Sequence, residues 1–140
     1  AYDAVTGQPR WSRGFPCTYR AQIVDDGGPR AVPTIHGDRV YAYGVQGRLI
    51  CVAFKTGVPI WTRETHQEFQ APEGYFGAGS APLVEGNRVI VNVGGPKGAG
   101  IVAFDALTGK PVWRTTDELA SYAAPIVMEQ AGRRQFLVIT

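Results

Sequence analysis

At 140 residues the chain is the size of one domain, and its 44% hydrophobic and 19% charged residues exclude an intrinsically disordered polypeptide. Glycine and proline supply 28 residues, one in five, against roughly 12% in average usage; they follow no three-residue period, which excludes collagen, and they punctuate short apolar runs as turns do in an all-β protein. No apolar run approaches the ~18 residues of a membrane helix, and the net charge of +2 is carried by arginines scattered from Arg10 to Arg134, so no basic stripe points to nucleic acid.

In chain order, residues 1–13 read as a hairpin, the outer half of a four-stranded unit. A long connection, Gly14–Arg30, follows. Residues 31–63 read as four strands: Val32–Ile35, Arg39–Tyr43, Arg48–Phe54 and Val58–Arg63. A second long connection, Glu64–Gly79, leads into 80–116, whose strands are Ala81–Val84, Arg88–Val93, Gly100–Asp105 and Lys110–Thr115, with Gly94–Gly98 as a break. Asp117–Tyr122 is short, and 123–140 carries the inner half of a further unit. β-Branched residues fill the runs, and Pro33, Pro59, Pro82, Pro111 and Pro125 stand at strand beginnings, where a missing ladder donor is tolerated. Cys17 and Cys51 are too few for a disulfide framework, and a single bridge between them stays open.

Self-comparison carries the strongest signal. Tyr2-Asp3-Ala4-Val5-Thr6-Gly7-Gln8-Pro9-Arg10-Trp11 aligns with Phe104-Asp105-Ala106-Leu107-Thr108-Gly109-Lys110-Pro111-Val112-Trp113. Between them Phe54-Lys55-Thr56-Gly57-Val58-Pro59-Ile60-Trp61 reads as a copy shortened by two residues and lacking the Asp. The tryptophans are spaced by 50 and 52 positions, within the range of propeller blades and helical repeats. Composition decides for blades, because a helical reading would place glycine and proline inside almost every helix. The expected architecture is all-β and radial: four-stranded antiparallel blades, each burying two faces against its neighbours, with Trp61 and Trp113 filling seams. Gly7, Trp11, Gly57, Trp61, Gly109 and Trp113 are the expected blade-docking residues.

The pattern Asp-x-x-Thr-Gly-x-x-x-Trp, at 3–11 and 105–113, resembles the tryptophan-docking repeat of the PQQ-like β-propellers, a superfamily that includes quinoprotein alcohol dehydrogenases and BamB-like proteins of outer-membrane barrel assembly. The resemblance covers nearly the whole chain. It implies a closed propeller of seven or eight blades, of which 1–140 supplies about three blade equivalents as a single partial domain, and it implies a periplasmic or otherwise extracytoplasmic location.

Function is grafted on such a scaffold rather than given by it. The fourth-to-first-strand connections all emerge on one face, and long loops in compact domains commonly bind. They present the candidate binding-face residues Tyr19, Arg20, Phe69, Tyr75, Phe76 and Tyr122, types enriched at interface hot spots. Gly74–Ser80 is glycine-rich but lacks the following helix of a phosphate loop. His36 and His66 have no His or Cys at zinc-ligand spacing. Asp25-Asp26-Gly27-Gly28 lacks the ligand alternation of a calcium loop, and Glu64 with Glu68 reads as a polar loop start. The resemblance implies that a quinoprotein site would need adjacent cysteines, a catalytic Asp and calcium held by Glu and Asn; Cys17 and Cys51 are not adjacent, and Asn92 is the one strand Asn. The expectation is therefore a non-catalytic binding module with no catalytic, cofactor or metal residues in this chain, binding a protein or small ligand through one face. The alternative is a PQQ- and calcium-dependent alcohol or sugar dehydrogenase whose site lies in other blades.

Overall fold

The structure is a computed structural model and describes residues 1–20 and 28–140. Alternation of large apolar residues sets the first sheet: β1 (Thr34–His36), β2 (Arg39–Tyr43), β3 (Arg48–Ala53) and β4 (Pro59–Glu64) pair antiparallel in sequence order. A single helical turn, α1 (Thr65–Phe69), follows inside the connection read as loop. The second sheet repeats the first with β5 (Leu83–Glu85), β6 (Arg88–Gly95), β7 (Ala99–Asp105) and β8 (Pro111–Thr115), and β9 (Ile126–Gln130) pairs with β10 (Arg133–Leu137) as a two-stranded sheet. At the other end, Tyr2 and Pro9 form one antiparallel bridge.

The strands pack face to face across two seams. Tyr41, Tyr43, Leu49 and Cys51 of the first sheet meet Val89, Val91, Val102 and Phe104 of the second. The opposite face of the second sheet, Ile90, Ile101 and Ala103, meets Phe136 and Val138. Because both faces of the second sheet are covered, β6 reads as a near-continuous apolar run, and each fully buried Val or Phe contributes roughly 1.5–3 kcal/mol. Trp61 and Trp113 lie along these seams, and Trp11 lies on the opposite face of the first sheet. Trp11 donates its Nε1–H to Phe54 O at 2.9 Å and Trp61 donates to Ala106 O at 3.1 Å. A Cβ on Gly57 would meet the Trp11 ring, and one on Gly109 would sit 2.7 Å from Trp61 Cδ2. Among the described residues nothing lies within 4 Å of a Cβ built on Gly7. Trp113 stacks on Phe136, the centroids 5.8 Å apart.

Three expectations are corrected. The middle copy of the repeat is not shortened: Gly57 N donates to Ala53 O as Gly109 N donates to Asp105 O, both at 2.8 Å, so Ala53 stands where the other copies have Asp, with the same eight-residue step to Trp61. The additional length lies in the β6–β7 hairpin, whose paired ends Arg88 and Asp105 are seventeen positions apart against fourteen for Arg39 and Ala53. Gly94 and Gly95 are strand rather than break, and the turn is confined to Pro96-Lys97-Gly98. The connection after β4 contains α1: Thr65 N and Oγ1 both donate to Gly47 O, at 2.9 and 2.8 Å.

Candidate functional site

The turn between β2 and β3, Gly44-Val45-Gln46-Gly47, gathers the connections on one face. The Gln46 amide pairs with Thr18 at two points: Thr18 N donates to Oε1 at 2.9 Å and Nε2 donates to Thr18 Oγ1 at 3.0 Å. Val45 O accepts from Ala78 N at 2.7 Å, and Gly47 O holds Thr65. Gly77, at φ +70°, passes so close to Val45 that any side chain would collide with it. The glycines of Gly74–Ser80 therefore serve close packing of one loop on another.

On this base stands an aromatic cluster. Tyr19, 6% exposed, donates its hydroxyl to Tyr75 O at 2.7 Å. Arg30 Nε donates to Phe76 O at 3.2 Å, and Phe76 N donates to the Tyr122 hydroxyl at 3.0 Å. The Tyr75 and Phe76 rings meet edge to face at 4.8 Å, and those of Phe76 and Tyr122 at 5.6 Å. Tyr75, Phe76 and Tyr122 remain 47%, 40% and 47% exposed, while the backbone groups beneath them are spent on the side chains of Tyr19, Arg30 and Tyr122. Burial pushes the Tyr19 phenol up, so it stays a neutral donor.

Four of the six candidate face residues thus come together: Tyr19, Tyr75, Phe76 and Tyr122. Phe69 does not join them; it turns inward, edge-on to Phe104 at 6.1 Å and against the Gly95 backbone. Arg20 is exposed. Sequence reading missed Arg30 and Gln46, long polar side chains whose task is to hold carbonyls and amides of other connections; no local motif marks them.

Several of the remaining chemistry-bearing groups are engaged structurally. Glu64 pairs with Arg48 at 2.6 Å, and Glu68 pairs with Arg63 at 2.6 Å while accepting from Glu64 N. His36 is exposed at the end of β1, and His66 is wedged against Gly47. Cys17 is exposed and Cys51 buried, with no disulfide joining them. Asn92, 1% exposed, donates to Ile139 O at 3.4 Å or, with the amide reversed, donates to Gly100 O and accepts from Ser121 N. Either way its amide is spent inside a seam. Among the described residues no three His, Cys, Asp or Glu side chains converge on a metal position, and Asp25, Asp26 and Gly27 lie outside those residues.

A groove of about 1080 Å³ runs along the first sheet, lined by Val40, Ala42, Ile50, Val52, Phe54 and the Trp11 hairpin among others. By strand register these four sheet residues correspond to Val89, Val91, Val102 and Phe104, which the first sheet covers. The groove is thus the repeat of a blade seam.

Comparison with known proteins follows the same lines. A family model described as "Outer membrane protein assembly factor BamB" matches residues 1–137. The chain is 40% identical over 119 residues to quinohemoprotein alcohol dehydrogenase ADH IIB of Pseudomonas putida, and 33% identical over 122 residues to the dehydrogenase subunit of the quinone alcohol dehydrogenase of Komagataeibacter europaeus. Each match takes in 81% of this chain, which spans only 16% of the length of either relative. Among solved structures, BamB from Moraxella catarrhalis superposes with a TM-score of 0.56 at 25% identity, over 80% of this chain and 28% of that one. With two successive four-stranded antiparallel blades and a family match from end to end, the chain belongs to the PQQ-like β-propeller repeat family, of which it forms a partial propeller.

Proposed function

We propose that the protein is a non-catalytic, extracytoplasmic propeller that binds a protein partner or ligand through the face bearing Tyr75, Phe76 and Tyr122. The observation that carries this reading is the cluster itself. Three half-exposed rings from two connections pack edge to face on backbone that Tyr19 and Arg30 hold, with the Tyr122 hydroxyl bound by Phe76 N, so contact area is offered with less freedom left to lose on binding. The likeness to an assembly factor supports a binding role and a location outside the cytoplasm.

A second reading, a PQQ- and calcium-dependent dehydrogenase, draws on the names of the 40% and 33% identical relatives; its site would lie outside these residues. Two measurements on the intact protein separate the readings. Purified protein supplied with PQQ, calcium and primary alcohols is expected to reduce no artificial electron acceptor, and sustained turnover overturns the proposal. A photo-crosslinker in place of Tyr75 is expected to give one discrete adduct in cells, lost in the Phe76→Ala/Tyr122→Ala double variant. An adduct pattern indifferent to that variant removes the aromatic face from the argument.

A further inference from the structure

The binding face leaves one buried titratable group unexplained. His66 lies on α1 with its ring over Gly47, so close that a Cβ there would collide with the imidazole, and it meets the Tyr43 ring edge-on at 6.3 Å. Its Nδ1 is buried and finds no hydrogen-bond partner among the described residues. A neutral imidazole bears that position at the cost of one unsatisfied acceptor. A protonated one must place a charged N–H there with no acceptor among the described residues, which is far costlier.

The surroundings offer little relief. Tyr43 on β2 is neutral, and its hydroxyl is shared with Thr65 Oγ1 at 2.8 Å. The β2–β3 turn has no titratable side chain. Arg48 on β3 and Glu64 hold each other, as do Glu68 of α1 and Arg63. Glu73, farther along the connection, favours the charged ring, and burial outweighs it, holding the His66 pKa below the usual histidine value. Cys17 and Glu73 line the same groove as His66.

We propose that His66 is an acid-released latch: neutral, it pins α1 to the β2–β3 turn; protonated, it leaves its seat and frees residues 65–73. The bonds released with it are Thr65 to Gly47 O and Ala71 N to His66 O. The sign follows from linkage. A histidine whose folded pKa is depressed binds its proton in the open state first, so opening grows as pH falls, by up to tenfold per unit between the ordinary and the folded pKa. The same connection carries Tyr75 and Phe76, so acid would also loosen the proposed binding face; that consequence rests on the reading above, and the latch does not.

Hydrogen exchange of the intact protein, corrected for intrinsic rates, tests the latch without any ligand. From pH 7.5 to pH 5 the amides of Thr65 and Ala71 are expected to lose about tenfold in protection or more, while those of β6 and β7 stay constant. His66→Gln, which cannot titrate, is expected to abolish the pH dependence, and His36→Gln to leave it intact. Constant protection in the wild-type protein, or the same loss in His66→Gln, overturns the proposal. Should His66→Gln fail to fold, the wild-type pH series decides alone.

Discussion

Gly109→Ala isolates the contact that joins one blade to the next. Gly109 has φ +71°, in the left-handed region, where an alanine costs of order 1–2 kcal/mol. The new methyl would also sit 2.7 Å from both Cδ2 and Cε3 of Trp61, well inside contact distance, and displacing a packed indole adds about 1–3 kcal/mol. The expected total is therefore about 2–5 kcal/mol. Gly86 is the control: φ is +57°, and among the described residues a Cβ there meets nothing within 4 Å, so only the backbone cost of about 1–2 kcal/mol applies. Urea unfolding of the intact protein, followed by tryptophan fluorescence, measures each midpoint. A smaller ring at position 61 makes room, so in a Trp61→Phe background the excess cost of Gly109→Ala is expected to fall by half or more, a coupling of the size seen between touching residues. If Gly109→Ala costs no more than Gly86→Ala, the indole does not dock on this glycine and the seam argument fails.

Tyr19→Phe removes the donor to Tyr75 O and is expected to raise exchange in residues 74–77 about fivefold, as one net hydrogen bond implies, leaving the sheets unchanged. Asp3 is held at a pKa of about 2, first by Arg10 at 2.5 Å and then by Thr6 and Val5. A depressed carboxylate contributes stability above its unfolded pKa and loses it as pH falls through the folded one, so order in the 1–13 hairpin should fade between pH 4 and 2, read by NMR shifts of Thr6 and Gly7. Thr116 is β-branched at φ +63°, a strained pairing, and its Oγ1 accepts from Glu118 N at 3.2 Å. Thr116→Asn keeps an acceptor and suits that backbone, so a gain of about 1 kcal/mol in urea unfolding is expected.

What the sequence disclosed, and what it hid, follows from how far each signal reaches. Alternation in Arg39–Tyr43 and the β-branched run of Arg88–Val93 are local and read directly as strands. The tryptophan spacing is a repeat property and reads directly as blades. Side-chain identity matches Phe54 to Phe104, which gives the middle copy the wrong phase. Backbone bonds make Phe54 the equivalent of Ala106 instead: Phe54 N donates to Asp38 O as Ala106 N does to Asn87 O, and each carbonyl accepts an indole N–H. α1 was invisible because five residues carry no helical period, and its start has no side-chain cap; Gly47 holds it from another element. Gly94 and Gly95 looked like turn formers. They are instead places where Ala120 and Phe69 press on a strand, and a glycine that admits a neighbour is indistinguishable in sequence from one that bends a chain. Phe69 was assigned to the face for the same reason: direction on a single helical turn is set by what packs over it.

Ala53 shows which parts of the repeat matter for architecture. In the outer copies the Asp carboxylate accepts two backbone amides and the Thr hydroxyl: Asp105 Oδ1 takes Leu107 N, Thr108 N and Thr108 Oγ1, and Asp3 does the same with Val5 and Thr6. Ala53 offers none of these, yet its turn closes with the same backbone bonds, and Val58 N still donates to Thr56 Oγ1 at 3.3 Å. The carboxylate is thus an accessory to a turn that glycine at positive φ already permits, whereas an indole with no glycine beneath it could not approach the seam. Strand side chains of the second sheet are consumed on both faces by such seams, which leaves its connections free to differ. Tyr19, Arg30, Tyr75, Phe76 and Tyr122 lie in connections, so substitutions at these positions should change binding while sparing the fold, and substitutions at Gly57, Trp61 and Gly109 should do the reverse.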